Sequence, residues 1–335
     1  MSLSVSVTPA SPPISVVIGG QAPILATQAA SQSLSFAAGS STLLSGDPPP
    51  KPREMVAMQS IKSSGSVSIS ALTTSGYFTV RWWDGSLTIA GPYNGTTPMV
   101  ASKAVPATGN WSGSSPKTIY AWSGHRTQSG RLTLLGCASA GLFDVDASGC
   151  ESLASLDVSI NVLPRLSVES CPSLASLYCQ ANELTSLKTS GAGGLLELYC
   201  HSNRLTSLNL QANPLVQSLQ CNDNLLTSLS PTASLVSLYC HNNQLRALDL
   251  RGSLGIKNLN CSGNQITSIR ATGLAINGPV GASLTQNLLS AASLDAFYQD
   301  LAATTGGSIY VAGNPGTAGD TPSIAAAKGY IVYGT

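Results

Sequence analysis

The chain has 335 residues, of which 43% are hydrophobic and only 9% charged, and its formal net charge is +1. Soluble domains usually carry ~25% charged residues; here 16 basic side chains face 15 acidic ones and leave no basic stripe to track phosphates, which excludes nucleic acid as a partner. The longest apolar stretches, such as residues 14–18, fall far short of the ~20 residues that span a bilayer, which excludes membrane insertion.

Residues 1–54 hold little that could form a core. Alternating Ser and Val give way to Pro12-Pro13 and later to Asp47-Pro48-Pro49-Pro50-Lys51-Pro52. Proline runs are stiff and extended, so the segment reads as an extended arm with a Pro-rich linker, and an arm that cannot bury itself is expected to bury itself on a partner. Residues 1–10 lack a basic flank followed by an apolar core, so the expectation is assembly in a cytoplasm without export.

Residues 55–128 read as a β-domain. Val67 and Ile69 alternate with serines, Phe78, Val80 and Trp82 share one face of a second run, and Thr118 to Trp122 forms a later strand. Asp84-Gly85 between Trp83 and Ser86 is the signal of a two-residue hairpin. The stretch from Phe78 to Gly85 is similar to the tryptophan-then-Asp-Gly strand end of polycystic-kidney-disease-type sandwiches, although here Asp84 follows Trp83 directly. A small β-sandwich-like domain at this place is expected to cover the open apolar end of the repeat region downstream.

From about residue 129 to 290 one pattern repeats, L-x-x-L-x-C-x-x-N-x-L-x-x-L. Its clearest copies are Leu174, Leu177, Cys179, Asn182, Leu184, Leu187 and Leu195, Leu198, Cys200, Asn203, Leu205, Leu208. Aligned on the cysteine, Cys137, Val158, Cys179, Cys200, Cys221, Cys240, Cys261 and Leu284 are separated by 21, 21, 21, 21, 19, 21 and 23 residues. This period predicts a mainly β solenoid of eight coils with short helical segments, each coil one short strand plus a return. The first coil, Leu132, Leu135, Cys137, Leu142 and Val145, is degenerate, with Ala140 in place of the asparagine. The repeats, with their recurrent Leu-Thr-Ser-Leu returns, resemble the short leucine-rich repeats of bacterial surface proteins and tailed-phage proteins.

Six of the eight cysteines occupy one inward strand position, where equivalent side chains of adjacent coils stand ~4.8 Å apart and pack as small apolar groups. An in-register ladder disfavours the bridging angle of a disulfide, and Cys150 and Cys171 also lie one period apart, so all eight are expected as reduced thiols. The asparagine column Asn161, Asn182, Asn203, Asn224, Asn243, Asn264, Asn287 and Asn314 is expected to satisfy backbone groups where the chain turns inward. Residues 291–335 read as a C-terminal cap. Ser293 starts an amphipathic helix with Leu294, Ala296, Phe297 and Leu301, and Ile309, Val311 and Asn314 resume the repeat phase as a ninth strand.

Strand residues flanking the inward positions point outward by period two. They form a candidate binding face of Tyr178, Tyr199 and Tyr239, Gln180, His201, Gln220, Asn222 and His241, with Glu197 beside them. Tyrosine offers apolar area with a polar tip, which suits a saccharide or a protein surface. His201 and His241 are two coils, or ~10 Å, apart and too distant to share a metal; no cofactor is expected. Asp157 and Glu197, the outward carboxylates, lie two coils and one column apart, at or beyond the ~5–9.5 Å that glycoside hydrolysis requires. Gly191-Ala192-Gly193-Gly194 lacks the Lys-Ser/Thr of a phosphate loop and reads as a turn.

These readings converge on a non-enzymatic chain. The resemblance, the reduced ladder and the partner-seeking arm imply a tailed-phage virion structural protein (capsid decoration, neck or tail fibre component) and a virion location. It would hold other virion proteins through residues 1–54, form a homo-oligomer, and take part in host attachment through a surface saccharide or protein. The competing expectation is a bacterial surface adhesin or interaction module at the cell surface.

Overall fold

The computed structural model describes residues 132–147, 150–169 and 171–334, and upstream of these a set of paired strands. The chain divides into two units, Met1–Pro50 and Lys51–Thr335. In the first, Ser4–Val5 pairs with Leu34–Ser35 and Ser15–Val16 with Ile24–Leu25, both antiparallel. The expected extended arm otherwise lies outside the described residues.

In the second unit a twelve-stranded sheet runs the length of the solenoid. Its parallel part starts at Leu132–Gly136 and continues through Ser155–Asp157, Ser176–Tyr178, Glu197–Tyr199, Ser218–Gln220, Ser237–Tyr239, Asn258–Asn260 and Ala282–Ser283 to Gly307–Tyr310 and Tyr330–Tyr333. Strand pairing reaches past each three-residue strand, as far as the third residue beyond it: the Cys179 N–H donates to the Tyr199 carbonyl at 2.8 Å and the Ala181 N–H to the His201 carbonyl at 3.0 Å. Two-stranded parallel sheets form on the return side, Arg165–Ser167 with Ser186–Lys188 and Ala247–Asp249 with Ser268–Arg270.

The apolar repeat positions explain this arrangement. Leu174, Leu177, Cys179 and Leu184 are fully buried, as are their equivalents Leu195, Leu198, Cys200 and Leu205 one coil on. A fully buried leucine contributes about 2 kcal/mol relative to exposure, and a single coil has nothing to bury it against, so the stack is the folding unit. All eight cysteines are free and buried, and desolvation pushes the Cys171 thiol up to about 11 and those of Cys200 and Cys261 up to about 12. Gly191, in the glycine-rich turn, packs so closely on the preceding coil that a Cβ there would overlap the Glu169 carbonyl.

Each coil turns after its strand through a left-handed residue. Ser139, Ile160, Ala181, Ser202, Asp223, Asn242 and Gln286 all have φ between 52° and 55°, and Gly263 and Gly313 take the same place in their coils. A non-glycine residue there costs about 1 kcal/mol or more, which is offset in every coil but the first by the asparagine next in the chain. Asn203 shows the pattern: its Oδ1 accepts from the Leu184 N–H at 2.9 Å, and its Nδ2 donates to the carbonyls of Cys179 at 3.0 Å and Cys200 at 3.0 Å. Each amide thus ties two coils together at the point where neither has strand partners.

Strands upstream of the repeats continue into the first coil. Ser66–Thr73 pairs antiparallel with Leu132–Gly136, and Met99–Ala104 follows it at the end of the long sheet. Met55–Ser60 pairs antiparallel with Leu142–Asp146 and leads a five-stranded sheet that includes Lys117–Ser123, Phe78–Arg81 and Leu87–Ala90. The first coil is therefore hydrogen-bonded on both its strand and its return side, which removes an open edge. Phe78–Arg81 pairs antiparallel with Leu87–Ala90; the expected turn at Asp84-Gly85 lies outside the described residues.

At the other end the helix spans Ala291–Asp300 and is capped by Ser290, three residues before the expected start, because the Ser290 side chain accepts the Ser293 N–H at 3.2 Å. Its buried face is Leu294, Phe297 and Tyr298; Ala296 is exposed, and Tyr298 takes its place with its hydroxyl donating to Asp320 at 2.6 Å. Gly307–Tyr310 follows as the expected ninth strand, and beyond the short helix Ser323–Ala326 the strand Tyr330–Tyr333 adds a tenth. The cap is thus built from further coils. Among the described residues no helix is long and apolar enough to cross a membrane.

Candidate functional site

The parallel register assembles the three outward columns as the period predicts. Ser176, Glu197, Ser218, Ser237 and Asn258 are mutual partners, as are Tyr178, Tyr199, Gln220, Tyr239 and Asn260. The third column, Gln180, His201, Asn222, His241 and Ser262, lies just past the strands and is held in step by its carbonyls, each of which accepts an N–H from the preceding coil at 2.9–3.0 Å.

Within the face the predicted residues form two clusters. In the first, the Tyr178 and Tyr199 rings meet edge to face at 5.1 Å. The Tyr178 hydroxyl donates to Glu197 Oε2 at 2.6 Å, and the Ser176 hydroxyl donates to the same oxygen at 3.1 Å. The hydrogen bond to Glu197, followed by burial, raises the Tyr178 pKa, so this hydroxyl stays a donor at neutral pH.

The second cluster surrounds Asp223, which the period-two pattern passes over. Asn222 Nδ2 donates to its Oδ2 at 2.6 Å and Asn242 Nδ2 to its Oδ1 at 2.8 Å. Burial works to raise its pKa, but these hydrogen bonds and the neighbouring His241 and His201 outweigh it and hold the carboxyl below the usual range. Desolvation lowers the pKa of both His201 and His241, against the pull of Asp223. His201 Nδ1 lies 3.1 Å from the Ser202 hydroxyl, whereas His241 Nδ1 and Gln180 Oε1 are buried atoms that receive no partner from the chain. Gln220 and Tyr239 complete the face at half-buried positions between and beyond the clusters.

The tyrosine column also runs further than predicted. Asn260 pairs with Ser283, Ser283 with Tyr310 and Tyr310 with Tyr333, so Tyr310 and Tyr333 extend the same line, their rings stacked at 5.0 Å with 14° between planes. A signal existed for Tyr310, which stands between Ile309 and Val311 in the ninth strand. Asp223 carried none, because it occupies the left-handed turn position, outside the period-two pattern.

The ladder thiols face the core with raised pKa values, and among the described residues no three His, Cys, Asp or Glu side chains are placed to hold a metal. Glu197 is engaged by Tyr178 and Ser176, and Asp157 accepts the Ser159 N–H at 2.9 Å.

No protein-family model matches the chain, and neither does any curated protein. Among solved structures it is similar to the leucine-rich repeat domain of APL1B, at 21% identity and a TM-score of 0.51 over 61% of this chain and 64% of that one. It also resembles the functional domain of InlJ from Listeria monocytogenes, which includes a cysteine ladder (23% identity, TM-score 0.43, 60% and 48% covered). A third likeness is to the leucine-rich repeat protein LIC12759 of Leptospira interrogans (19% identity, TM-score 0.32, 50% and 56% covered). The match spans less than two thirds of each of these chains. At such identities the likeness concerns the fold, which is that of a leucine-rich repeat solenoid.

Proposed function

We propose that this chain is a non-enzymatic interaction module that binds a protein or saccharide partner on the outward face of its parallel sheet. The observation that carries the reading is the in-register column of Tyr178, Tyr199, Tyr239, Tyr310 and Tyr333 on a rigid sheet. Rigid aromatic side chains give large contact area at low entropic cost. Two buried polar atoms of the same face, Gln180 Oε1 and His241 Nδ1, find no partner within the chain and can be satisfied by polar groups of a ligand. The setting we propose is the virion of a tailed phage, with residues 1–54 held by other virion proteins. What supports it is the 9% charge content, the all-thiol cysteine set and the proline-rich segment before the β-strands.

Immunogold microscopy of a lysate, with antibody against the solenoid, tests the setting. Label on particle heads or tails is the expected result, and unlabelled particles beside labelled cell envelopes overturn it in favour of an adhesin. The binding role is tested by the Tyr199→Ala/Tyr239→Ala variant, expected to lose attachment to cells or particles while its circular dichroism is unchanged. Full attachment by the folded variant removes the face from function.

A further inference from the structure

Three outward columns run the whole length of the parallel sheet, and their charges are one-sided. From Ser155, Asp157 and Ser159 in the second coil to Ile331 and Tyr333 in the last, the columns contain two carboxylates, Asp157 and Glu197, and no lysine or arginine. A third carboxylate, Asp223, stands at the rim. The chain as a whole is balanced, with 16 basic residues to 15 acidic ones, so the basic side chains have been kept elsewhere. Several are on the return side and in turns, where Arg165, Lys188, Arg204 and Arg251 pair with Asp144, Glu169, Glu183 and Asp249. Among the described residues neither Asp157 nor Glu197 has such a partner.

Glu197 is also set in a groove. A shallow cavity of about 410 Å³ crosses the coils beside the face, lined by Glu197, Ser176, Ser218 and Ser237 and walled by Leu196 and Val236, residues that are 37% and 38% exposed. Tyr178 and Ser176 both donate to Oε2, which fixes the carboxylate and, among the described residues, leaves Oε1 without a donor. The Tyr178–Tyr199 pair stands directly beside it. A preset carboxylate, an aromatic pair and an aliphatic wall are the three surfaces that a long basic side chain offers complements to: a cationic head, a quadrupole-seeking charge and a methylene stem.

We propose that the partner of this face is a polypeptide segment that seats an arginine or lysine on Glu197, with its stem along Leu196 and Val236 and its charge beside the Tyr178 and Tyr199 rings. This rests on the sheet face being the binding surface. A neutral saccharide would also reach Glu197 Oε1 with its hydroxyls, but it brings no cation to match the one-signed charge of the columns.

The test uses the full chain and a fluorescein-labelled peptide of alternating arginine and serine, compared with the same peptide carrying neutral citrulline for arginine, by fluorescence anisotropy at low ionic strength. The arginine peptide is expected to bind roughly tenfold more tightly than the citrulline one. Glu197→Gln, which keeps the shape and the Tyr178 and Ser176 contacts, is expected to abolish that difference. Glu169→Gln, which removes the same charge from the return side, is expected to preserve it. Equal effects of the two substitutions would mean general charge attraction and overturn the proposal, as would equal binding of the two peptides or binding of neither. A neutral oligosaccharide that binds wild type but not Tyr199→Ala/Tyr239→Ala, in the absence of peptide binding, would overturn the basic partner and keep the face. Arginine-peptide binding untouched by Glu197→Gln and by the tyrosine pair would remove both.

Discussion

The inward and outward sides of the same strands follow different rules. Inward, the cysteine and asparagine positions hold nearly one residue type from coil to coil, each fully buried or close to it. Outward, the same register carries Asp157, Tyr178, Tyr199, Gln220, Tyr239, Asn260 and Ser283 in a single column. The inner side is constrained because a coil can be stacked only if every thiol and amide meets an equivalent neighbour at the strand spacing. The outer side has no such constraint, so what it carries is free to serve contact with something else. Stability thus rests on the inner face, and the recognition proposed above would fall on the outer one, a single side chain apart.

Alkali attacks the inner side with the largest effect. Burial raises the thiol pKa values of Cys171, Cys200 and Cys261 to between about 11 and about 12, above the unfolded value of 9.0. A raised folded pKa gives stability that is present below the unfolded value and lost as pH rises through it toward the folded one. Each thiol then removes up to about 1.4 kcal/mol per pH unit, and several titrate together. Urea midpoints should fall steeply above pH ~9, and less steeply in Cys200→Ala. A midpoint that stays level up to pH ~11 would mean that solvent reaches the ladder in the native state.

Next comes Asn224→Ala. It leaves the Leu205 N–H and the carbonyls of Cys200 and Cys221 without their amide partner. Buried groups of this kind cost about 1–3 kcal/mol each, so a loss of about 3–5 kcal/mol is expected in chemical denaturation. A loss below about 1 kcal/mol would show that water replaces the amide.

On the outer side the expected effects on stability are small. His201 and His241 have lowered pKa values, so their neutral forms favour the native state. That contribution is complete above the unfolded value of 6.5 and is lost as pH falls from there through the folded values. The thermal midpoint should show a shallow acid limb just below pH ~6.5, absent in the His201→Gln/His241→Gln variant; an unchanged limb in that variant would assign it to the carboxylates instead. Smallest of all is Tyr239→Ala, whose stability should stay within about 1 kcal/mol of wild type while attachment falls. Equal losses of stability and attachment would erase the separation of the two faces.

Much of this is legible in the sequence. The repeat positions, the asparagine column, the tyrosine and histidine columns and the ninth strand all come from periods of two and about 21 residues, because a solenoid makes neighbours of residues one period apart. Local signals were less dependable. The helix start slipped from Ser290 to Ser293 because either serine can cap, and only the packing of Leu294, Phe297 and Tyr298 decides which one does. Asp223 escapes the pattern because a turn residue falls outside the period of two, and the Tyr310–Tyr333 stack because Tyr333 lies in a tenth strand that no repeat copy marks.

What the amino-acid sequence determined by itself was the coil: its length, its inward ladder and the order of side chains along its outer columns, all of them properties of one repeat and its neighbours. What the tertiary structure alone decided was how the stack ends and what its face presents. Strands 66–73 and 55–60 close the first coil on both sides, and a tenth strand extends the other end. The Glu197 carboxylate is held by Tyr178 and Ser176 of the preceding coil, and Asp223 by Asn222 and by Asn242 of the following one. These contacts depend on the exact rise and register between coils, which no single repeat encodes.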